Sequence, residues 1–218
     1  DFAVDQERVR PLLDELCGER WQRAEDALLG LLSSGALGTP AGRALATLGL
    51  VQVQILARMD VRGALAVLVP ILDEAERGGL PDLVAGRAHV MATMVFGAPD
   101  SRVQDVGRVN AHAARASALL PPDADDLRIL SATSCVAGAR FLGPEVTLHA
   151  YEAHLTNLQR ATSSLGRMCA DGLGGLVATI RNEPQLAARL GGAALAAAEG
   201  HGHWGLVMGT LDDYASRT

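Results

Sequence analysis

The feature that most constrains the fold is a short pattern that occurs four times along the chain at a nearly constant spacing. Each copy is an arginine that opens an apolar segment, in Gly42-Arg43-Ala44, Gly86-Arg87-Ala88, Leu127-Arg128-Ile129 and Gly166-Arg167-Met168. A repeat of about 40 residues is typical of stacked helical hairpins, in which each unit buries its apolar face against its neighbours. We therefore expect an extended helical array with a long binding surface.

Residues that start helices recur with the same period. They are Asp60-Val61, Asp100-Ser101, Gly143-Pro144 and Asn182-Glu183-Pro184. Short polar side chains can accept hydrogen bonds from the free amides of a first helical turn, where a proline loses no bond. Each unit is therefore predicted to be helix, turn, helix. The first helices are expected at 4–16, 41–58, 82–96, 125–140 and 166–181, and the second helices at 20–33, 61–77, 102–119, 144–162 and 184–199.

The predicted fold class is all-α, an α-solenoid of about five helix-turn-helix repeats of about 40 residues in a single domain. Apolar residues such as Leu45, Leu48 and Ile55 share one side of a helical wheel. Composition agrees, because 49% of the residues are hydrophobic and only 3% aromatic, so small side chains fill the interior. Glycines at 172, 174 and 175 predict a close helix crossing or a bend. The expected repeats are approximately 1–36, 37–78, 79–120, 121–164 and 165–200, with a terminal helix at 204–215.

Charge and composition argue against several kinds of partner. The net charge is −6 and all 19 basic residues are arginine, dispersed among 25 carboxylates, so direct nucleic-acid binding is not expected. The most apolar stretch, residues 44–57, is too short to span a membrane. Three separated cysteines in apolar segments suit a reducing cytoplasm. The absence of lysine suggests a GC-rich, actinobacterial type of source, and a chain beginning with Asp1 suggests a fragment of a longer protein.

One helix concentrates reactive side chains. Glu145, His149 and Glu152 are spaced to share a face, whereas His154 falls away from it. The sequence has no phosphate-binding loop, nucleophile elbow or zinc-protease motif. We expect a protein without catalytic activity, metal or cofactor. The alternative is an enzyme on a helical array that uses His149 with Glu145 or Glu152.

The repeated arginines are the candidate binding residues. If equivalent positions of the first helices point the same way, the arginines form a ladder that could hold an anionic ligand or an acidic peptide. The alternative is that they pair with carboxylates of neighbouring repeats, such as Asp82 or Asp126. The predicted ligand- or partner-binding residues are Arg43, Thr47, Arg87, Met91, Arg128, Arg167 and Asp171.

Two stretches carry a resemblance to known families. Residues 57–65, Ala-Arg-Met-Asp-Val-Arg-Gly-Ala-Leu, resemble the turn of a tetratricopeptide repeat, with Met59 in place of the usual glycine. Residues 175–194 are similar to the last such repeat of large bacterial ATP-dependent transcriptional regulators, of the kind that includes the maltose-regulon activator. There Asn182-Glu183 replaces Gly-Asp.

The resemblance implies a sensor segment that binds a small-molecule effector or a partner protein in a superhelical groove. It also implies an attached ATPase and DNA-binding head outside these residues. Two other possibilities stay open. One is a general protein-interaction scaffold that grips a peptide or helix, and the other is a homodimer formed through an end repeat around Trp204 and Tyr214.

Overall fold

The computed structural model describes residues 1–16, 18, 20–98, 103–121, 124–139 and 144–201. Within these residues all regular structure is helical, which confirms the all-α prediction. Most predicted helix ends lie within two residues of the observed ones, and the two largest differences are four residues. The predicted terminal helix at 204–215 lies outside the described residues. The helices are α1 (Phe2–Glu15), α2 (Trp21–Ser33), α3 (Pro40–Leu56), α4 (Val61–Glu76), α5 (Asp82–Gly97), α6 (Val106–Leu119), α7 (Asp125–Ala139), α8 (Pro144–Leu158), α9 (Ser164–Ile180) and α10 (Pro184–His201).

The largest differences from the predicted ends are at the start of α6 and the end of α8. Asp105 caps α6, since its carboxylate accepts a hydrogen bond from the Arg108 amide at 3.0 Å. The predicted start signal, Asp100-Ser101, lies outside the described residues and precedes the observed start by more than one helical turn. Asp100 and Asp105 fit a capping role equally well by residue type, so the sequence alone does not separate them.

The helices pack in two sets. The first helices, α1, α3, α5, α7 and α9, each contact the next first helix along the chain. The second helices α2, α4, α6 and α8 each pack on the first helix before and the first helix after them, and α10 packs on α9. As a result α4 buries only a narrow stripe, Ala64, Leu68 and Leu72. In α5, by contrast, every residue from Val84 to Gly97 is buried.

The starts of α3 and α9 are built alike. Thr39 accepts a hydrogen bond from the Gly42 amide at 2.9 Å, and Ser163 accepts one from the Gly166 amide at 3.0 Å. Both glycines stand where another side chain comes close: a Cβ on Gly42 would lie 2.5 Å from the Asp5 Cβ, and one on Gly166 would lie 2.4 Å from the Ala161 Cβ. The glycine that precedes the repeated arginine therefore has a steric reason in these two helices.

The turns that follow α3 and α9 are also alike. Met59 and Asn182 both adopt left-handed backbone, with φ of 55° and 59°. The Asp60 amide then donates to the Gln54 carbonyl at 2.9 Å, and the Glu183 amide donates to the Ala178 carbonyl at 2.8 Å. These bonds close the last turn of each first helix and aim the chain into the second helix.

The glycines inside α9 mark a close helix crossing. A Cβ added at Gly175 would lie 3.2 Å from the Gly191 amide nitrogen of α10, so the two backbones approach each other directly. A Cβ at Gly174 would lie 3.0 Å from the Leu190 side chain. The close crossing predicted from these glycines is confirmed, and α9 continues through them as one helix from Ser164 to Ile180.

Candidate functional site

Three of the four repeated arginines bind the loop that precedes their own helix. Arg43 donates to the Leu37 carbonyl at 3.1 Å, and Arg167 donates to the Thr162 carbonyl at 2.6 Å. Arg128 donates to the Leu120 carbonyl at 2.6 Å. Each of these arginines is the fourth residue of its helix. In that position the side chain reaches back to the loop and fixes the entry of the chain into the helix.

Arg87 is the exception. It is the sixth residue of α5, is buried, and donates through Nη2 to the Gln52 Oε1 of α3 at 2.5 Å. Met91, one turn later, is fully buried as well. Two of the predicted binding residues therefore lie inside the protein, where they join α5 to its surroundings.

The other predicted binding residues lie nearer the surface. Thr47 is half-buried and its hydroxyl donates to the Arg43 carbonyl at 2.8 Å. Asp171 is half-buried on α9, one turn after the exposed Arg167. The four arginines thus differ in exposure: Arg43 and Arg167 are exposed, Arg128 is half-buried and Arg87 is buried.

A partly exposed stripe runs along α3. It consists of Arg43, Thr47, Leu50 and Gln54, which have the spacing of one helix face and which we call the α3 stripe. The Gln54 Oε1 is buried and has no hydrogen-bond partner among the described residues. Buried carbonyl oxygens of this kind are nearly always satisfied, so this atom is notable. Sequence reasoning did not select Gln54, although its spacing from Arg43 and Thr47 was a usable signal.

A buried histidine pair joins α5 to α6. The Nδ1 atoms of His89 and His112 lie 3.0 Å apart, and the two rings stack with centroids 5.2 Å apart. The Phe96 ring stacks on His112 with a centroid distance of 5.6 Å. The guanidinium carbon of Arg108 lies 4.1 Å from the Phe96 centroid. The sequence analysis missed this cluster, because the two histidines belong to different helices and match no motif.

The environment of the histidine pair disfavours its charged form. Burial lowers the pKa of His89 to about 4, and the neighbouring His112 and Arg115 add to the effect. Burial likewise lowers the pKa of His112, helped by Arg108 and Arg115. Both imidazoles are therefore neutral at pH 7, and one Nδ1 donates its proton to the other.

The residues of the enzyme alternative are only partly grouped. His149 is exposed on α8, while the Glu152 carboxylate binds Arg181, just after α9, at 2.6 Å. His154 is buried on a different face, where its Nε2 lies 3.1 Å from the Thr133 hydroxyl of α7. Burial lowers the pKa of His154. Across the described ranges, no three His, Cys, Asp or Glu side chains are placed to hold one metal ion.

Comparisons with known proteins yield no relatives. No family model matches the sequence, and neither the curated proteins nor the solved structures compared with it give a match. Within the described residues, no helix combines the length and apolar character needed to cross a membrane. The described residues therefore form a helical protein with a partly exposed stripe on α3 and buried polar side-chain pairs on α5.

Proposed function

We propose that this chain is a noncatalytic recognition module, an array of tetratricopeptide-like hairpins that binds a partner along its first helices. The observation that carries the proposal is the α3 stripe. It combines an exposed guanidinium at Arg43 with the unsatisfied Oε1 of Gln54 on one helix face. A partner that supplies an acidic group would pair with Arg43, and a hydrogen-bond donor on the same partner would satisfy the Gln54 Oε1 once this half-buried side chain turns outward.

The local geometry of two turns supports the tetratricopeptide comparison. The family places a glycine before the acidic residue that opens its second helix, and glycine favours left-handed backbone. Met59 and Asn182 occupy that position here and adopt left-handed backbone. The substitutions that depart from the family pattern thus preserve its conformation. The succession of contacts between first helices is also what a solenoid requires.

The length of the α3 stripe bears on the size of the partner. Arg43 and Gln54 are eleven positions apart, which is about 16 Å along a helix. About five residues of extended peptide span that distance. The spacing therefore favours a peptide segment of a protein over a compact small-molecule effector. An acidic group at one end and backbone N–H groups at the other fit the two ends of the stripe.

The resemblance also implies a sensing role, in which binding of the same partner regulates a transcriptional regulator. In a transcriptional regulator, a partner on the first helices would favour one arrangement of the hairpins over another. That preference would change how the neighbouring domains dock. The proposal requires only that the partner bind the two arrangements with different affinity.

A binding experiment tests the proposal. A pool of fluorescent heptapeptides rich in Asp and Glu is titrated with the chain, and binding is followed by anisotropy. We expect saturable binding that Gln54→Leu and Arg43→Gln each weaken by roughly three- to thirtyfold, since each removes one hydrogen-bonded contact. The matched control is Arg23→Gln, an exposed arginine on the second helix α2, which removes the same charge elsewhere.

Two results would overturn the proposal. One is that the acidic pool does not bind above a composition-matched neutral pool. The other is that Arg23→Gln weakens binding as much as Arg43→Gln does, because the attraction would then come from net charge rather than from the α3 stripe.

A further inference from the structure

The helix α6 packs on α5 and α7 and buries three of its residues, as α4 does. Its buried residues are Val109, His112 and Ala116, which form a single stripe facing α5. The rest of the helix is rich in polar and small residues that face outward. The middle member of the stripe is the histidine that pairs with His89. The buried stripe of α6 therefore has a titratable contact at its centre, where α4 has the apolar Leu68.

The geometry of the histidine pair permits only one proton between the two Nδ1 atoms. At 3.0 Å, one nitrogen donates and the other must offer its lone pair. A second proton between these atoms would place two N–H groups head to head, and protonation of both rings would place two positive charges on stacked rings. The contact that holds α6 would then become a repulsion.

The charged groups around the pair do not compensate for that second proton. Arg108 and Arg115 of α6 both act against it, while Glu76 at the end of α4 favours it. The Glu76 carboxylate, however, is already bound to Arg115 at 2.7 Å. Arg108 in turn lies over Phe96, whose ring stacks on His112. The pair thus lies beside the apolar Phe96 ring and near two arginines and one glutamate, whose net charge is positive.

We propose that His89 and His112 form an acid-sensitive latch, which holds α6 on α5 while the pair shares one proton and releases it when both rings are protonated. Release exposes the face of α5 that α6 covers, and this is the face that carries His89, Thr93 and Phe96. Acid thereby opens one hairpin of the array while the hairpins built on α3 and α9 stay closed.

The direction of the effect follows from proton linkage. The pKa of His89 is about 4 in the closed form and returns to about 6.5 when the ring is exposed. Between these values the open form binds more protons, so the latch is fully stable above pH 6.5 and weakens as the pH falls towards 4. From pH 7 to pH 5 the population of the open form should rise on the order of tenfold from His89 alone.

Hydrogen exchange, followed by mass spectrometry on the whole chain, tests the latch. After correction for the intrinsic pH dependence of exchange, α6 amides should lose on the order of tenfold protection from pH 7 to pH 5. Amides of α3 should change little. The double variant H89F/H112F keeps two rings in the interface, and its α6 should show no such pH dependence. The control His149→Gln removes an exposed histidine and should behave as the parent chain does.

Equal loss of protection in α3 and α6, or an unchanged pH dependence in H89F/H112F, would overturn the latch. If that variant does not fold, the imidazole ¹⁵N shifts of the parent chain decide the matter. Both rings should stay neutral at pH 6 and become protonated only as α6 loses protection. Titration of either ring near its ordinary pKa with α6 still protected would contradict the proposal.

Discussion

The hairpins that begin with α3 and α5 carry the same Gly-Arg-Ala sequence and use it in opposite ways. In α3 the arginine is the fourth residue of the helix, is exposed, and holds its own loop. In α5 it is the sixth residue, is buried, and binds Gln52 of the neighbouring helix. The surroundings of the two helices account for the difference, because every residue of α5 from Val84 to Gly97 is buried, whereas α3 keeps a partly exposed face.

The same difference in burial extends to the other polar side chains of the two regions. The α3 hairpin keeps a partly exposed stripe with an unsatisfied acceptor at Gln54. The α5 helix is enclosed by its neighbours and places its polar groups in pairs, Arg87 with Gln52 and His89 with His112. The proposed recognition surface therefore lies on α3, and the proposed acid-sensitive latch lies between α5 and α6.

The largest expected effect comes from removing the buried arginine. Arg87→Met leaves the Gln52 Oε1 without its charged donor, so the free energy of unfolding should fall by about 1–3 kcal/mol. Arg43→Met removes an exposed side chain and should cost less than about 1 kcal/mol. Urea denaturation of both variants measures the difference. Equal losses would mean that the two arginines are structurally equivalent and would remove the basis of the comparison.

A second expected effect concerns the loop before α3, which is held by a buried carboxylate. The start of α5 differs, because Pro81 precedes the helix and provides no side-chain cap. Asp5 of α1 accepts hydrogen bonds from the Thr39 hydroxyl at 2.6 Å and from the Thr39 and Gly38 amides at 2.8 and 3.1 Å. The Thr39 hydroxyl is the main reason that the pKa of Asp5 is lowered below 3.8. Because the folded form holds the proton less tightly, this stability is present above pH 3.8 and is lost at lower pH.

Asp5→Asn should therefore reduce thermal stability at pH 7, and the difference from the parent chain should shrink in acid, once the Asp5 carboxylate is protonated. Asp14→Asn, an exposed aspartate on the same helix, is the control. Thermal melts at pH 7, 5 and 3 measure both variants. A difference that is independent of pH would show that the Asp5 carboxylate charge does not hold this loop.

The smallest expected effect comes from substitutions at Met59 and Asn182, in the similar turns that follow α3 and α9. Left-handed backbone costs a residue such as methionine about 1–2 kcal/mol, and substitution by glycine removes this cost. Part of the stabilisation is lost again, because glycine gives the unfolded chain greater conformational freedom. Met59→Gly should therefore stabilise the protein by about 0.5–1 kcal/mol, since the Met59 side chain is exposed. Asn182→Gly should be nearly neutral, because asparagine tolerates this conformation. Destabilisation by Met59→Gly in urea would show that Met59 contributes contacts of its own.

Sequence reasoning located the helices because their signals are local. Capping residues such as Asp60, and prolines in first turns such as Pro184, each act within a few positions. The burial of Arg87 escaped prediction because it depends on the neighbouring helices, which pack around α5 and bury every residue from Val84 to Gly97.

The histidine pair and the Gln54 acceptor escaped prediction for a different reason. His89 and His112 meet only through the packing of α5 on α6, and nothing in a single sequence states that pairing. A histidine inside an otherwise apolar segment was the available hint, since such a residue needs a buried partner. The spacing of Gln54 from Arg43 and Thr47 places it on the same helix face, but its lack of a hydrogen-bond partner among the described residues is known only from the structure.

An NMR titration of the ¹⁵N-labelled chain with a pool of acidic heptapeptides tests directly whether the α3 stripe binds a partner. We expect chemical-shift changes centred on Arg43, Thr47, Leu50 and Gln54, including the side-chain amide of Gln54, and much smaller ones on the outer face of α4. Changes confined to the second helices, with the Gln54 side chain unaffected, would contradict the assignment of recognition to the α3 stripe.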